Sequence, residues 1–156
     1  MSAPRVYACF HAVGCKNPAA SDLKYYFLLR AWSRKAPLAR AFIDVHEVEP
    51  QFDPRRSDVR HALAKRMERS DVLLVILSEH TAGSGGWLSW EIEFASRQRR
   101  LPIVCAYTGL SRNHEPSPTT AWWPQALRNV ASAPASPIEH VAFRPRALAE
   151  AFQRLS

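Results

Sequence analysis

Residues 70–93 read SDVLLVILSEHTAGSGGWLSWEIE. Six apolar residues stand in succession, Val72 to Leu77, and none of them offers water a polar side. A strand of this kind is buried on both faces, which is the environment of a central strand in a parallel sheet. Ser78 to Gly86 (SEHTAGSGG) is loop by its Ser and Gly content. A helix is expected from Trp87 to Arg99, with Leu88, Ile92 and Ala95 as its buried stripe. Strand, loop and helix in that order form one half of a right-handed crossover unit.

The pattern repeats outward from this stretch. Arg5 to Phe10 (RVYACF) is a β-prone run, followed by a loop to Ser21 that carries Gly14 and Pro18. Asp22 is placed to cap a helix through Lys35, with Leu23, Tyr26, Phe27 and Arg30 on one face and Pro37 as its stop. Tyr25, Leu28, Leu29 and Trp32 make that helix apolar on most sides, so it lies deep or offers a face to a partner. Phe42 to Glu47 (FIDVHE) alternates like a half-buried strand. Ser57 caps a helix in which Val59, Leu63 and Met67 stack at i, i+4, i+8. Pro102 to Tyr107 (PIVCAY) is a further strand, Ala121 to Val130 a short helix, and Ile138 to Phe143 an edge strand. Pro145 suits the first turn of a last helix, with Leu148, Ala151, Phe152 and Leu155 on its inner side. The expectation is a flavodoxin-like, doubly wound α/β fold: about five parallel strands with helices on both faces, in a single domain over residues 1–156.

Composition bounds what such a domain does. The chain has 156 residues, 47% of them apolar and 22% charged, so wholesale disorder and coiled coil are excluded. Lys plus Arg exceed Asp plus Glu by seven charges, which favours anionic partners without choosing among them. Cys9, Cys15 and Cys105 contain no C-x-x-C pair, so neither a disulfide framework nor a thiolate zinc site is expected. No apolar run is long enough to cross a bilayer, and Met1 to Arg5 shows no secretory signal. A reduced, cytoplasmic chain that neither touches a membrane nor carries a metal is the expectation.

Ligands of an open α/β sheet bind outside the carboxyl ends of its strands. Four loops meet there: after Phe10, Glu47, Leu77 and Tyr107. Trp87 and Glu91 share a helix face one turn apart, so the indole can wall the carboxylate, raise its pKa and hold its rotamer at the mouth of the sheet. Glu in early helical turns is also favoured by the helix dipole alone, and position is what lifts Glu91 above that reading. Phe10 and His11 close the first strand. Asp44 and His46 share a face of the second. Arg55, Arg56 and Arg60 can draw a pyrophosphate, although a solvated basic face is the commoner role. Arg97, Arg99 and Arg100 compensate a helix dipole. Trp122 and Trp123 either form a stacking lid for a purine or pack the last helices onto the sheet, the second being preferred. The His and carboxylate spacings match no common metal pattern. No phosphate loop, no G-x-G-x-x-G and no G-x-S-x-G is present, and His11 stands where phosphoreceiver domains need an acidic cluster.

Taken in order, VYACFH (6–11), FIDVH (42–46), SDVLLVILS (70–78), WLSWEIE (87–93) and the Pro102-Ile103-Val104 run resemble a TIR domain. The likeness is closest to the TIR-like proteins of the Thoeris antiphage systems, and it fades beyond Tyr107. The resemblance implies cleavage of NAD at the nicotinamide–ribose bond, with Glu91 as catalytic residue. It also implies a cyclic or conjugated ADP-ribose product that a separate effector protein reads during phage infection. NAD is then a substrate and no cofactor is needed. Phe10, Trp87 and Trp90 are candidates for an aromatic lining, Arg55 or Arg56 for the pyrophosphate, and His11, Asp44 and His46 for other substrate contacts. A phage-derived trigger and self-association belong to the same expectation. Nucleoside deoxyribosyltransferases use a glutamate on a related sheet, but the Trp-x-x-x-Glu context fits TIR better. Many TIR domains only assemble with one another, so a non-catalytic interaction module is the second reading. A nucleic-acid binder ranks last, because only the +7 charge supports it.

Overall fold

In the computed structural model, β3 (Val72–Leu77) lies at the centre of the sheet and all six of its residues are buried. The structure describes residues 3–11, 22–35, 38, 43–44, 57–83, 87–109 and 120–155. On one side of β3 lies β1 (Arg5–Cys9), with Tyr7 opposite Leu73 and Cys9 opposite Val75. On the other lies β4 (Ile103–Tyr107), with Leu73 opposite Ile103 and Leu77 opposite Tyr107. β2 (Ile43–Asp44) and β5 (Ile138–Ala142) form the two edges. All pairings are parallel and the order is β2-β1-β3-β4-β5. That is the flavodoxin-like winding, whose reversal point falls between β1 and β3.

A strand without a polar side needs cover on both faces, and the chain supplies it. α1 (Leu23–Trp32) and α5 (Pro145–Leu155) cover one face. Tyr26, Leu29, Leu148 and Phe152 pack there on Val6, Ala8, Leu74, Ile76 and Val104. α2 (Ser57–Glu68), α3 (Trp87–Glu93) and α4 (Gln125–Ser132) cover the other. Leu63, Met67, Leu88, Ile92 and Leu127 meet Tyr7, Cys9, Leu73, Val75 and Cys105 on that side. Strand alternation therefore sorts β1 into two sets, Val6, Ala8 and Phe10 towards α1, and Tyr7 and Cys9 towards α3.

Several boundaries differ from the expectation. α1 stops at Trp32, not Lys35, where the Ser33 hydroxyl donates to the Arg30 carbonyl at 2.6 Å and draws the chain into a turn. The helix after Gly86 is α-helical only to Glu93. Phe94–Gln98 continue as a wider π turn, closed by Arg100 in the left-handed region at φ 52°. Neither Gly nor Pro marks that change in the sequence. Residues 120–122 form a separate 3-10 turn, and α4 runs from Gln125 to Ser132 rather than from Ala121 to Val130. Of the expected second strand, only Ile43–Asp44 falls within the described residues.

Asp22 does more than start α1. Its carbonyl accepts the Tyr25 and Tyr26 amides, but its side chain makes no capping bond. The fully buried carboxylate instead accepts the Ser78 hydroxyl at 2.7 Å on each oxygen and the Thr81 hydroxyl at 3.3 Å. Its amide donates to the His11 carbonyl at 2.8 Å. One residue thus ties the end of β1, the start of α1 and the end of β3. Asp22→Ala leaves two buried hydroxyls without their acceptor, and it is expected to lower the unfolding free energy by about 2–4 kcal/mol. Denaturant titration measures this, and a loss below about 0.5 kcal/mol, the scale of an ordinary surface substitution, refutes the tie.

Candidate active site

Glu91 sits one turn into α3, which starts behind the loop that leaves β3. Leu88 and Ile92 carry the helix onto the sheet, and this brings the neighbouring Glu91 over Tyr7 and Cys9 of β1. Its side chain is inside rather than at the open mouth, with 5% of the residue exposed. Burial pushes its carboxyl up from 4.5 to about 8, and the Tyr7 hydroxyl offsets part of that rise. Oε2 is buried with no hydrogen-bond partner. An unsatisfied oxygen of that kind costs free energy, on the order of 1–3 kcal/mol, unless the carboxyl is held neutral or meets a ligand.

The neighbours respond to it in turn. The Tyr7 phenol is held well above its ordinary value, first by burial and then by the Glu91 charge, while Arg66 pulls the other way. The Cys9 thiol is raised by burial, then by Glu91 and by Cys105. Cys105 is pushed up to about 12 by burial alone. Both thiols are therefore protonated and inert at neutral pH. The described surroundings of the Glu91 carboxyl are thus mainly apolar, with the Tyr7 phenol and the Cys9 thiol beside it.

The residues predicted to surround Glu91 divide. Trp90 borders the same core, stacked on Phe94 at 5.0 Å. Phe10 is on the opposite face of β1, stacked on Tyr26 at 5.1 Å, so alternation takes it away from Glu91. His11 lies at the carboxyl edge, its ring 6.5 Å from that of His80 across the point where the strand order reverses. Trp87 and Asp44 are placed by their backbones, at the start of α3 and the end of β2. His46, Arg55 and Arg56 lie outside the described residues. Sequence reasoning missed Tyr7. Its signal was available, because a tyrosine in an apolar strand needs a partner for its hydroxyl, and period two puts it beside Cys9.

The carboxyl edge also holds a cleft of about 230 Å³ that Glu91 does not line. It opens between Lys24 of α1, Ser78 and His80 behind β3, Thr108 and Gly109 behind β4, and Trp122. Of the two adjacent tryptophans, only Trp122 faces the cleft. Trp123 packs as the preferred reading expected, its ring parallel to His140 at 5.6 Å and its Nε1 donating to the Tyr107 hydroxyl at 2.9 Å. Among the described residues no group of three His, Cys, Asp or Glu side chains is placed to hold a metal ion. No described helix is long and apolar enough to cross a membrane.

A family model described as the Thoeris protein ThsB, TIR-like domain, matches residues 7–113. The chain belongs to this family. The match spans β1 through β4 and includes Glu91, so the residues around the carboxyl belong to a TIR-like protein of the bacterial antiphage class. No curated protein matches the TIR-like chain. A solved structure, described as a conserved protein from Enterococcus faecalis V583, is similar over 98% of this chain and 99% of its own, with a TM-score of 0.52 and 14% identity. At that identity the likeness concerns the fold alone.

The raised carboxyl gives a signed prediction. An unfolded Glu91 ionises near 4.5 while the folded one stays protonated to about 8, so stability falls as pH rises through that window and levels off above it. The full swing is on the order of 3–5 kcal/mol. Glu91→Gln removes it, so the variant gains on the wild type progressively from pH 5 to pH 8.5. Urea unfolding of both proteins across this range measures the difference, and parallel curves refute the buried-acid assignment.

Proposed function

We propose that this TIR-like protein cleaves NAD at the nicotinamide–ribose bond, with Glu91 as the catalytic carboxyl. The observation that carries the reading is Glu91 itself: a carboxyl enclosed in apolar surroundings, with one oxygen unpaired, on the helix behind the central strand of a TIR-like chain. Desolvation makes such a group sensitive to charge. It is neutral in the resting protein at pH 7, and an approaching pyridinium ribosyl group favours its ionised form. The C1′–N bond then breaks with its electron pair going to nicotinamide, which leaves neutral. The ribose carries the positive charge as an oxocarbenium ion, as in glycoside hydrolysis. A carboxylate at low dielectric stabilises that charge most where it develops. Attack by water on C1′, with loss of one proton, yields ADP-ribose. Attack by the molecule's own adenine or ribose hydroxyl yields a cyclic isomer, and exclusion of water favours it. The product then serves as the signal for a separate effector.

The enclosure of Glu91 fits a latent enzyme. Contact with a sugar requires the packing over the carboxyl to open, and a phage-derived trigger or self-association supplies the free energy for that step. The conformational penalty reduces apparent affinity in proportion to the fraction of open molecules.

Purified protein activated with extract of infected cells is expected to release nicotinamide from NAD, and Glu91→Gln to reduce the rate by about 10²–10³. Below the carboxyl's value near 8 the rate rises with pH, because the working form is the ionised one. Undiminished release by the variant overturns the assignment. Mass spectrometry of the products separates hydrolysis from cyclisation and from transfer to another base.

A second reading rests on α1. Phe27 and Leu28 are 52% and 41% exposed, an apolar pair on a helix that meets the sheet with its other side. Such a pair suits a non-catalytic assembly module. Cells protected from phage as well by Glu91→Gln as by the wild type favour the module over the enzyme.

A further inference from the structure

We infer that the cleft at the carboxyl ends of β3 and β4 is a second binding site, which takes a mononucleotide: one aromatic base with one sugar and one phosphate. The inference stands apart from NAD cleavage, because Glu91 lies on the α3 side of β1 and does not line this cleft.

The size sets the class. About 230 Å³ is below the roughly 300–1,000 Å³ of sites that enclose drug-sized ligands whole, so the cleft holds one base with part of its sugar and leaves a phosphate at its rim. The lining sets the chemistry. Trp122 supplies an indole on one wall, a surface on which a planar base stacks. Gly109 has φ 73°, and a side chain built there would meet nothing within 4 Å, so the backbone offers a ring open room. At the rim, Lys24 presents an ammonium 5.0 Å from the Tyr25 ring centroid, a point charge suited to a phosphate. His80 stands beside it, with Nε2 3.5 Å from the Glu79 carboxylate, and a phosphate competes with that carboxylate for the imidazole. Glu79 is 77% exposed along its side chain and has solvent to turn into.

Both walls are built rather than incidental. One is held by the Asp22 carboxylate, which fixes Ser78 and Thr81 through buried hydrogen bonds. The other is held beneath Trp122. The Tyr107 hydroxyl accepts from Trp123 Nε1 at 2.9 Å and shares a hydrogen bond with His140 Nδ1 at 2.8 Å, and its ring lies 6.4 Å from that of Trp122. Arg128 adds hydrogen bonds to the Thr120 and Trp123 carbonyls at 2.6 and 3.4 Å, so the short turn that presents Trp122 is held on both sides. Buried polar clusters add little net stability but fix geometry. Here one buried cluster and one partly buried cluster fix the two sides of one cleft, at the sheet edge where open α/β folds bind ligands.

The test is titration of the full-length protein with AMP and UMP, followed by calorimetry and by tryptophan fluorescence, with inorganic phosphate and adenosine as partial ligands. At least one mononucleotide is expected to saturate below about 1 mM, and each partial ligand to bind at least about tenfold more weakly. Lys24→Ala and Trp122→Leu are each expected to weaken binding about tenfold or more, and Trp122→Phe to retain most of it. Thermal melts check that each variant folds, and the exposed Lys24→Ala and the conservative Trp122→Phe keep the test valid if Trp122→Leu does not. The inference is overturned if neither mononucleotide saturates by about 5 mM, or if Lys24→Ala binds like the wild type and so moves the ligand away from this cleft.

Discussion

Six consecutive side chains with no access to water leave the chain few arrangements. Val72–Leu77 turn Leu73, Val75 and Leu77 to one face and Val72, Leu74 and Ile76 to the other, and both faces must be covered. Paired strands on both sides satisfy the β3 backbone, and helices on both sides satisfy its side chains. Burial of one such aliphatic side chain contributes about 1.5–3 kcal/mol, so exposing either face of the strand forfeits several times that. The parallel winding follows, because neighbouring parallel strands need crossovers long enough to carry the covering helices. The loops at the carboxyl edge are then brought together by a sheet that cannot rearrange without exposing β3.

Within that frame the carboxyl of Glu91 is an exception. Protein interiors accept ionisable groups when they are paired, and this one has an unpaired oxygen, with the Tyr7 phenol and the Cys9 thiol as described neighbours. Asp22 shows the alternative on the other side of the sheet. It is equally buried but satisfied, with Ser78 and Thr81 donating to it. The two buried acids among the described residues, one partnered on both oxygens and one not, differ in what they do. The partnered one holds elements together, and under the proposed function the unpartnered one keeps its interaction energy for the substrate. Sites tuned for chemistry differ from structural ion pairs in this way.

The sequence made the frame legible because the frame is a matter of period and burial. VLLVIL at 72–77 is β3 residue for residue, and Pro145 opens α5 where its fixed φ suits a first helical turn. What depends on side-chain direction read less well. Asp22 looked like a cap, since local spacing cannot reveal that Ser78, 56 residues away, offers a better partner. Phe10 looked like a lining for the site because it ends the first strand. Alternation, which the sequence does contain, sends it towards Tyr26 instead. The π turn after Glu93 has no signal at all, because nothing in FASRQ disfavours an ordinary α-helix. Trp122 and Trp123 both pack against the core on the α3 side, as the preferred reading expected, and Trp122 also lines the cleft, which adjacency in sequence does not forecast.

The two polar features of the carboxyl edge are separated by the sheet's own construction. α3 leaves the β3 loop and returns over β1, so whatever it carries is delivered beneath the helix layer on that side. The cleft gathers the first turn of α1, the ends of β3 and β4 and the turn before α4. Both sites depend on the loop behind β3. Ser78 to Thr81 are clamped by Asp22, while Trp87, six residues further on, begins the helix that carries Glu91.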